Sequence, residues 1–195
     1  MGQVAKILIG LLMIVYPVAI YFGLKTFSVQ QVALVLLAIF VMRLFVLKNE
    51  RANAQVSGNL LTIAGIAGAV VGIILLLMVA LSKEVLFFKL YPVFVNLLML
   101  MAFVWTLLNP PSAIERIARK LDPDLSPLGV RHTRQVTQIW CGFFLINGCV
   151  AAYTCFFASM ATWTLYNGLI SYLLMGVLFA LEFVVRVIRM RRAGE

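Results

Sequence analysis

Six long apolar runs alternate with short polar connections along the chain: roughly Ala5 to Leu24, Val29 to Leu47, Leu60 to Leu81, Val85 to Leu108, Gln138 to Ala158 and Trp163 to Val187. A helix needs about 20 mainly apolar residues to cross roughly 30 Å of hydrocarbon, and each run is close to that length. The runs are continuous and do not alternate as barrel strands do, so their backbone polar groups must be satisfied within helices. The pattern predicts an all-α polytopic membrane protein, with six transmembrane helices in a single domain over residues 1–195. The first run lacks a small-residue cleavage pattern and a second span follows it closely, so it reads as an uncleaved helix.

One polar stretch interrupts the pattern. "NPPSAIERIARKLDPD", Asn109 to Asp124, carries six of the chain's 23 charged residues. Two prolines are followed by Ser112, and Glu115 stands three residues later, which is the capping-box signature of a helix start. On a helical projection Ile114, Ile117, Ala118 and Leu121 share a narrow arc, opposite Glu115, Arg116, Arg119 and Lys120. The spacing predicts an interfacial amphipathic helix over about 112–121, between the fourth and fifth spans, with its apolar face in the acyl boundary. Pro123 and Pro127 end it and Gly129 eases the turn into the next helix.

Composition agrees with this frame: 64% of the residues are apolar and 12% are charged, with a net charge of +9. The positive charges are one-sided. Lys6, Arg43, Lys48, Arg51, Arg116, Arg119, Lys120, Arg131, Arg134, Arg186, Arg189, Arg191 and Arg192 fall in or beside alternate connections, against Lys25, Lys83 and Lys89 on the other side. By the positive-inside rule both termini face the cytoplasm. Anionic lipid headgroups are the natural partner of such charge, and no nucleic-acid motif accompanies it. Arg116, Arg119, Lys120, Arg131 and Arg134 form the candidate docking or headgroup surface.

Polar residues inside apolar runs carry more information, because their burial is costly unless they are paired or line a cavity. Glu182 stands one turn before Arg186, a favourable same-face spacing. Asn167, Ser171, Glu182 and Arg186 lie within about 100° of one another on a helical projection, so the sixth helix carries a polar stripe that should face inward. Arg43, near the end of the second run, completes a candidate intramembrane cluster that reads either as a structural ion pair or as a proton or substrate path. In the third run Ala64, Gly68 and Gly72 recur every four residues and form a candidate packing face. Packing inside the bundle is the favoured reading of that face, and self-association into a homo-oligomer is the alternative.

Chemistry-bearing groups are sparse. Cys141, Cys149 and Cys155 share one helix without a CxxC pair or matching histidines, so they read as packing residues and no metal or cofactor is expected. His132, the single histidine, is flanked by Arg131 and Arg134 and lies near Asp122 and Asp124. No nucleophile or metal accompanies it, so catalysis is not expected. Two echoes, "YPVAI" from Tyr16 with "YPVFV" from Tyr91 and "VQQVA" from Val29 with "VTQIW" from Val136, hint at three-plus-three halves of opposite orientation, as in many transporters.

The wording from Tyr91 to Arg186, "YPVFVNLLML", "NPPSAIER", "PDLSP", "VRHTRQVTQIWCGFFLINGCVAAYT" and "WTLYNGLISYLLMGVLFALEF", resembles a family of small bacterial inner-membrane proteins. These are encoded with the genes for aryl polyene, or xanthomonadin-type, pigments. More distantly, Trp140, Phe143, Phe144, Gly148, Tyr153, Trp163 and Asn167 resemble the pattern of the intracellular septation protein A family. The resemblance implies the Gram-negative inner membrane and a part in assembling an acyl-type envelope product. It brings no catalytic residues. Three roles follow as expectations. The first is a non-enzymatic scaffold whose basic face docks acidic acyl carrier protein or other synthase components. The second is a transporter or flippase of a lipid-linked acyl product, and the third a septation-type envelope-organising protein.

Overall fold

The computed structural model of the chain describes residues 16–53, 60–120 and 122–193. Among these residues the structure is helical and contains no strand. In chain order the helices are α1 (Tyr16–Thr26), α2 (Val29–Asn53), α3 (Leu60–Ser82), α4 (Leu86–Leu108), α5 (Ala113–Ala118), α6 (Pro127–Phe157), α7 (Met160–Leu165) and α8 (Ser171–Ala193). A five-residue π-helical segment, Tyr166–Ile170, joins α7 to α8.

Among the described residues four helical stretches are long and apolar enough to cross a membrane: Gly65–Ser82, Leu86–Leu108, Pro127–Phe157 and Met160–Arg186. The apolar part of α2, Val29–Phe45, is shorter. Most of the first expected span, including Lys6, lies outside the described residues. Large apolar side chains such as Ile146, Phe157, Leu173 and Phe183 are exposed, a pattern that water tolerates poorly and acyl chains readily accept.

Helices α4 and α6 form the most extensive pair, and α2, α3 and α4 pack in sequence beside them. Apolar residues of α1 to α4 and α7 make one core, with Tyr16, Phe40, Leu76, Phe88 and Trp163 almost fully buried. A second core joins Phe103, Ala113, Val136, Trp140 and Phe144 of α4, α5 and α6. By contrast the backbone of α8 comes close to few residues of the other long helices, and Met175, Leu178 and Phe179 carry its packing against the second core. Only 6% of the Met160–Arg186 span is buried, against 33% of Pro127–Phe157.

Pro92 lies inside α4 and lacks the N–H that would bond the Phe88 carbonyl one turn earlier. The Tyr16 hydroxyl of α1 donates to that carbonyl at 3.0 Å. One residue on, the Trp163 indole of α7 donates to the Lys89 carbonyl at 3.2 Å. Tyr16 thus satisfies a carbonyl that apolar surroundings would otherwise leave without a donor at high cost, and Trp163 adds a bond from α7 to the neighbouring carbonyl. The Tyr16 ring also packs on Tyr91 at 4.8 Å between centroids, so the two "YPV" echoes meet.

The expected small-residue face resolves residue by residue. Phe40 of α2 lies directly over Gly72, so close that a Cβ there would fall inside its ring, whereas a Cβ at Gly68 would meet nothing within 4 Å. The side chain of Ala64 lies outside the described residues. Gly72 is therefore a seat for Phe40 within the bundle.

Gly72→Ala is expected to lower stability by about 1–3 kcal/mol, the usual cost of overpacking, in reversible unfolding from mixed micelles. Gly68→Ala should stay within about 0.5 kcal/mol of the parent. Tyr16→Phe should cost about 1–3 kcal/mol by leaving the Phe88 carbonyl unsatisfied. In a Pro92→Ala background, where α4 regains its own N–H, the same change should cost clearly less; equal costs in both backgrounds would refute the assignment.

Candidate functional site

Members of both cores bound a cavity of about 420 Å³ among α1, α4, α5, α6 and the π segment with the start of α8. Its volume is in the range of small-molecule sites, about 300–1,000 Å³. Most of the wall is apolar or aromatic, including Phe103, Trp140, Phe144 and Phe179. Polar groups interrupt it: Asn96, Asn147, Asn167 and Ser171 line it, as do the tyrosines Tyr16, Tyr91 and Tyr172. Pro17 and Pro92, from the two "YPV" echoes, are also in the wall.

Asn96 and Asn147 hold each other in place, and Asn167 is held separately. Asn96 stands near the middle of the 23-residue α4, and its amide donates to the Pro92 carbonyl one turn back at 2.8 Å. Asn147 of α6 donates to Asn96 Oδ1 at 3.0 Å and accepts from the Tyr166 hydroxyl at 2.9 Å. Asn167 donates to Thr154 Oγ1 at 3.2 Å and to the Trp163 carbonyl at 2.9 Å. Gly148 permits this approach, since a Cβ there would sit 3.2 Å from that of Asn96. The π segment carries both Tyr166, bonded to Asn147, and Asn167, bonded to Thr154 about two turns farther along α6. Such one-turn π insertions recur at functional sites.

Short helix α5 closes one end of the cavity with Ile114 and Ile117. The structure therefore redirects the expected interfacial helix. It covers Ala113–Ala118 and not the whole of 112–121, and Leu121 lies outside the described residues. Glu115, expected on the outward polar side, is buried because its carboxylate accepts the Ser112 N–H at 3.3 Å and pairs with Arg119 at 2.9 Å. The Ile114 N–H, left without a helical partner in the first turn, donates to Thr137 Oγ1 of α6 at 3.3 Å.

The expected docking surface is divided by the same bonds. Arg116 donates to the carbonyls of Pro111 at 2.7 Å and Asn109 at 3.2 Å, and lies over the Trp105 ring. Arg119 donates to Glu115 and to the Pro123 carbonyl at 3.2 Å. Both arginines brace the connection around α5, whose Pro110–Pro111 peptide is cis. Lys120, Arg131 and Arg134 remain exposed.

The expected intramembrane cluster is likewise only partly assembled. Asn167 and Ser171 are buried in the cavity wall. Half-buried Glu182 faces His132 of α6, Oε1 to Nε2 at 3.7 Å, a separation wider than a hydrogen bond. Among the described residues no ion pair joins it to Arg186, which is exposed. Arg43 is half-buried on α2; it and Tyr172 lie within electrostatic reach of the Tyr91 hydroxyl, but Arg43 is outside the cavity lining. The sequence reading missed Asn96 and Asn147. Their signal was present, since each is a lone amide deep in an apolar run, "VFVNLLML" and "FFLINGCV".

Comparison of the chain with protein-family models, curated proteins and solved structures finds no match. The chemistry of the cavity therefore carries the functional reading. Its amides and hydroxyls can donate and accept hydrogen bonds, while its aromatic wall can hold a hydrocarbon or a flat ring.

A double-mutant cycle with Asn96→Ala and Asn147→Ala, read by unfolding in mixed micelles, is expected to give a coupling of about 0.6–1.7 kcal/mol. A coupling indistinguishable from zero would show that the two amides act independently.

Proposed function

We propose that this chain is a non-enzymatic polytopic membrane protein that takes a lipid-like acyl product into the cavity among α1, α4, α6 and α8 and passes it across the membrane. The observation that carries this reading is the cavity itself: amides and hydroxyls set within apolar helices, with an acyl-compatible wall around them. Polar groups at that depth are costly, and lining a pathway is one of the few arrangements that offsets the cost. The π segment and the intrahelical Pro92 add the irregular backbone that transporters place at their binding sites. The meeting of the two "YPV" segments at the cavity supports a reading in two halves.

In this proposal six spans place both termini in the cytoplasm, α5 lies at the cytoplasmic end, and the membrane is the bacterial inner membrane. The product is the acyl-type envelope component that the resemblance to aryl polyene gene-cluster proteins implies. The exposed trio Lys120, Arg131 and Arg134 favours a second, lesser reading, in which the same face docks acidic acyl carrier protein or a synthase component. That reading has lost Arg116 and Arg119 to internal bonds.

Deleting the gene in its host and restoring it with wild-type or variant chains separates the two. Transport predicts that the product is made but stays inaccessible to membrane-impermeant reagents. Wild type should restore access, and a folded Asn147→Leu chain should restore at most a small part of it. Complete absence of the product would favour the docking role and sink the transport reading.

A further inference from the structure

A second space of about 420 Å³ lies on the other side of α8, between it and α6, with walls that include Ile139, Gly142, Ile146, Leu174 and Leu181. It is almost wholly apolar. Both spaces are lined by Asn147, and the outer one is also lined by Tyr166. The hydroxyl of Tyr166 bonds Asn147 Oδ1 at 2.9 Å, so this hydrogen bond stands where the two spaces meet.

The rest of the partition is slight. Along its length α8 meets α6 through side-chain tips: Phe179 against Trp140 at 4.6 Å between centroids, Met175 and Leu178 against the second core, and Glu182 near His132. The backbones stay apart beyond the π segment. Both α6 and α8 belong to stretches apolar enough to cross a membrane, so the medium beside the outer groove is acyl chain.

Charge narrows the occupant further. Among the described residues no charged side chain lines either space. A phosphate or carboxylate carried into such a site would lose its hydration with no cation to offset the loss. Amides and hydroxyls suit hydroxyl, amide or ester groups, which both donate and accept.

We infer that the inner cavity is loaded sideways from the bilayer, through the groove between α6 and α8, by an amphiphile with an uncharged, hydrogen-bonding head. This deepens the transport reading and rests on it. The acyl chain occupies the outer groove first, and the head breaks the Tyr166–Asn147 bond and replaces it as it enters. No covalent step is involved.

Gly142 supplies the test, because it lines the outer groove and a Cβ there would meet nothing within 4 Å. Gly142→Leu should fill the groove without disturbing the fold, as thermal melting in detergent would verify. The full chain is reconstituted in phosphatidylcholine vesicles containing either a diazirine-bearing monoacylglycerol or an alkyl phosphate with the same diazirine chain. Photolabelled peptides are then mapped by mass spectrometry over time.

The monoacylglycerol should label the inner-cavity residues Asn96, Trp140 and Phe179 of the wild type, and the alkyl phosphate should not. Gly142→Leu should slow that labelling several-fold and Tyr166→Phe should speed it. If neither probe reaches the inner cavity, the transport reading itself falls. If the monoacylglycerol labels it equally fast in wild type and Gly142→Leu, the lateral route is overturned while the cavity reading stands. Equal labelling by the alkyl phosphate overturns the uncharged head.

Discussion

Pro92 deprives the Phe88 carbonyl of its helical partner, and the rest of the bundle is arranged around the repair. A carbonyl without a donor in apolar surroundings is costly, so a hydroxyl must be brought to it. Tyr16 does this from α1, and its ring then packs tilted against Tyr91 and meets Phe40 edge-on. Phe40 in turn needs the space above Gly72. One missing N–H thus ties α1, α2, α3 and α4 together. The indole of Trp163, bonded to the next carbonyl, brings α7 to the same place.

The cavity follows from this arrangement. Once α1 and α7 are drawn onto the start of α4, the π segment is held against α1, where Gly168 sits close to Val18 and Pro17. The chain then leaves the body as α8, and the space left between it and α6 is filled on neither side. Asparagines face that space because they are partnered there: Asn96 with Pro92 and Asn147, Asn167 with Thr154 and Trp163. These bonds are a structural solution to burying amides in apolar helices. In a low-dielectric interior such networks hold their geometry firmly, since losing one member leaves the others unsatisfied.

The basic region shows how local pattern and tertiary demand diverge. A helical projection correctly groups Ile114 with Ile117 and sets Arg116 and Arg119 apart, and the capping residues Ser112 and Glu115 do mark the helix start. The projection assigns both arginines to open surface because it contains no carbonyls. In the folded chain the connection before and after α5 exposes the carbonyls of Asn109, Pro111 and Pro123, and two guanidinium groups, each with five donors, are the nearest means of satisfying them. Likewise the same-face spacing of Glu182 and Arg186 suggested a pair, but Arg186 turns outward and Glu182 meets His132, fifty residues away in sequence.

The amino-acid sequence by itself determined the helical class, the long apolar stretches and most helix ends, because hydrocarbon forbids unpaired backbone and prolines and caps act within one turn. It also marked which residues were out of place in apolar runs. Only the tertiary structure decided which of them meet: that Asn96 faces Asn147, that Gly72 seats Phe40 while Gly68 stands open, and that Ile114 and Ile117 close a cavity. Those outcomes depend on the relative rotation and tilt of helices far apart in sequence. Packing and long-range hydrogen bonds set that rotation, and no local spacing encodes it.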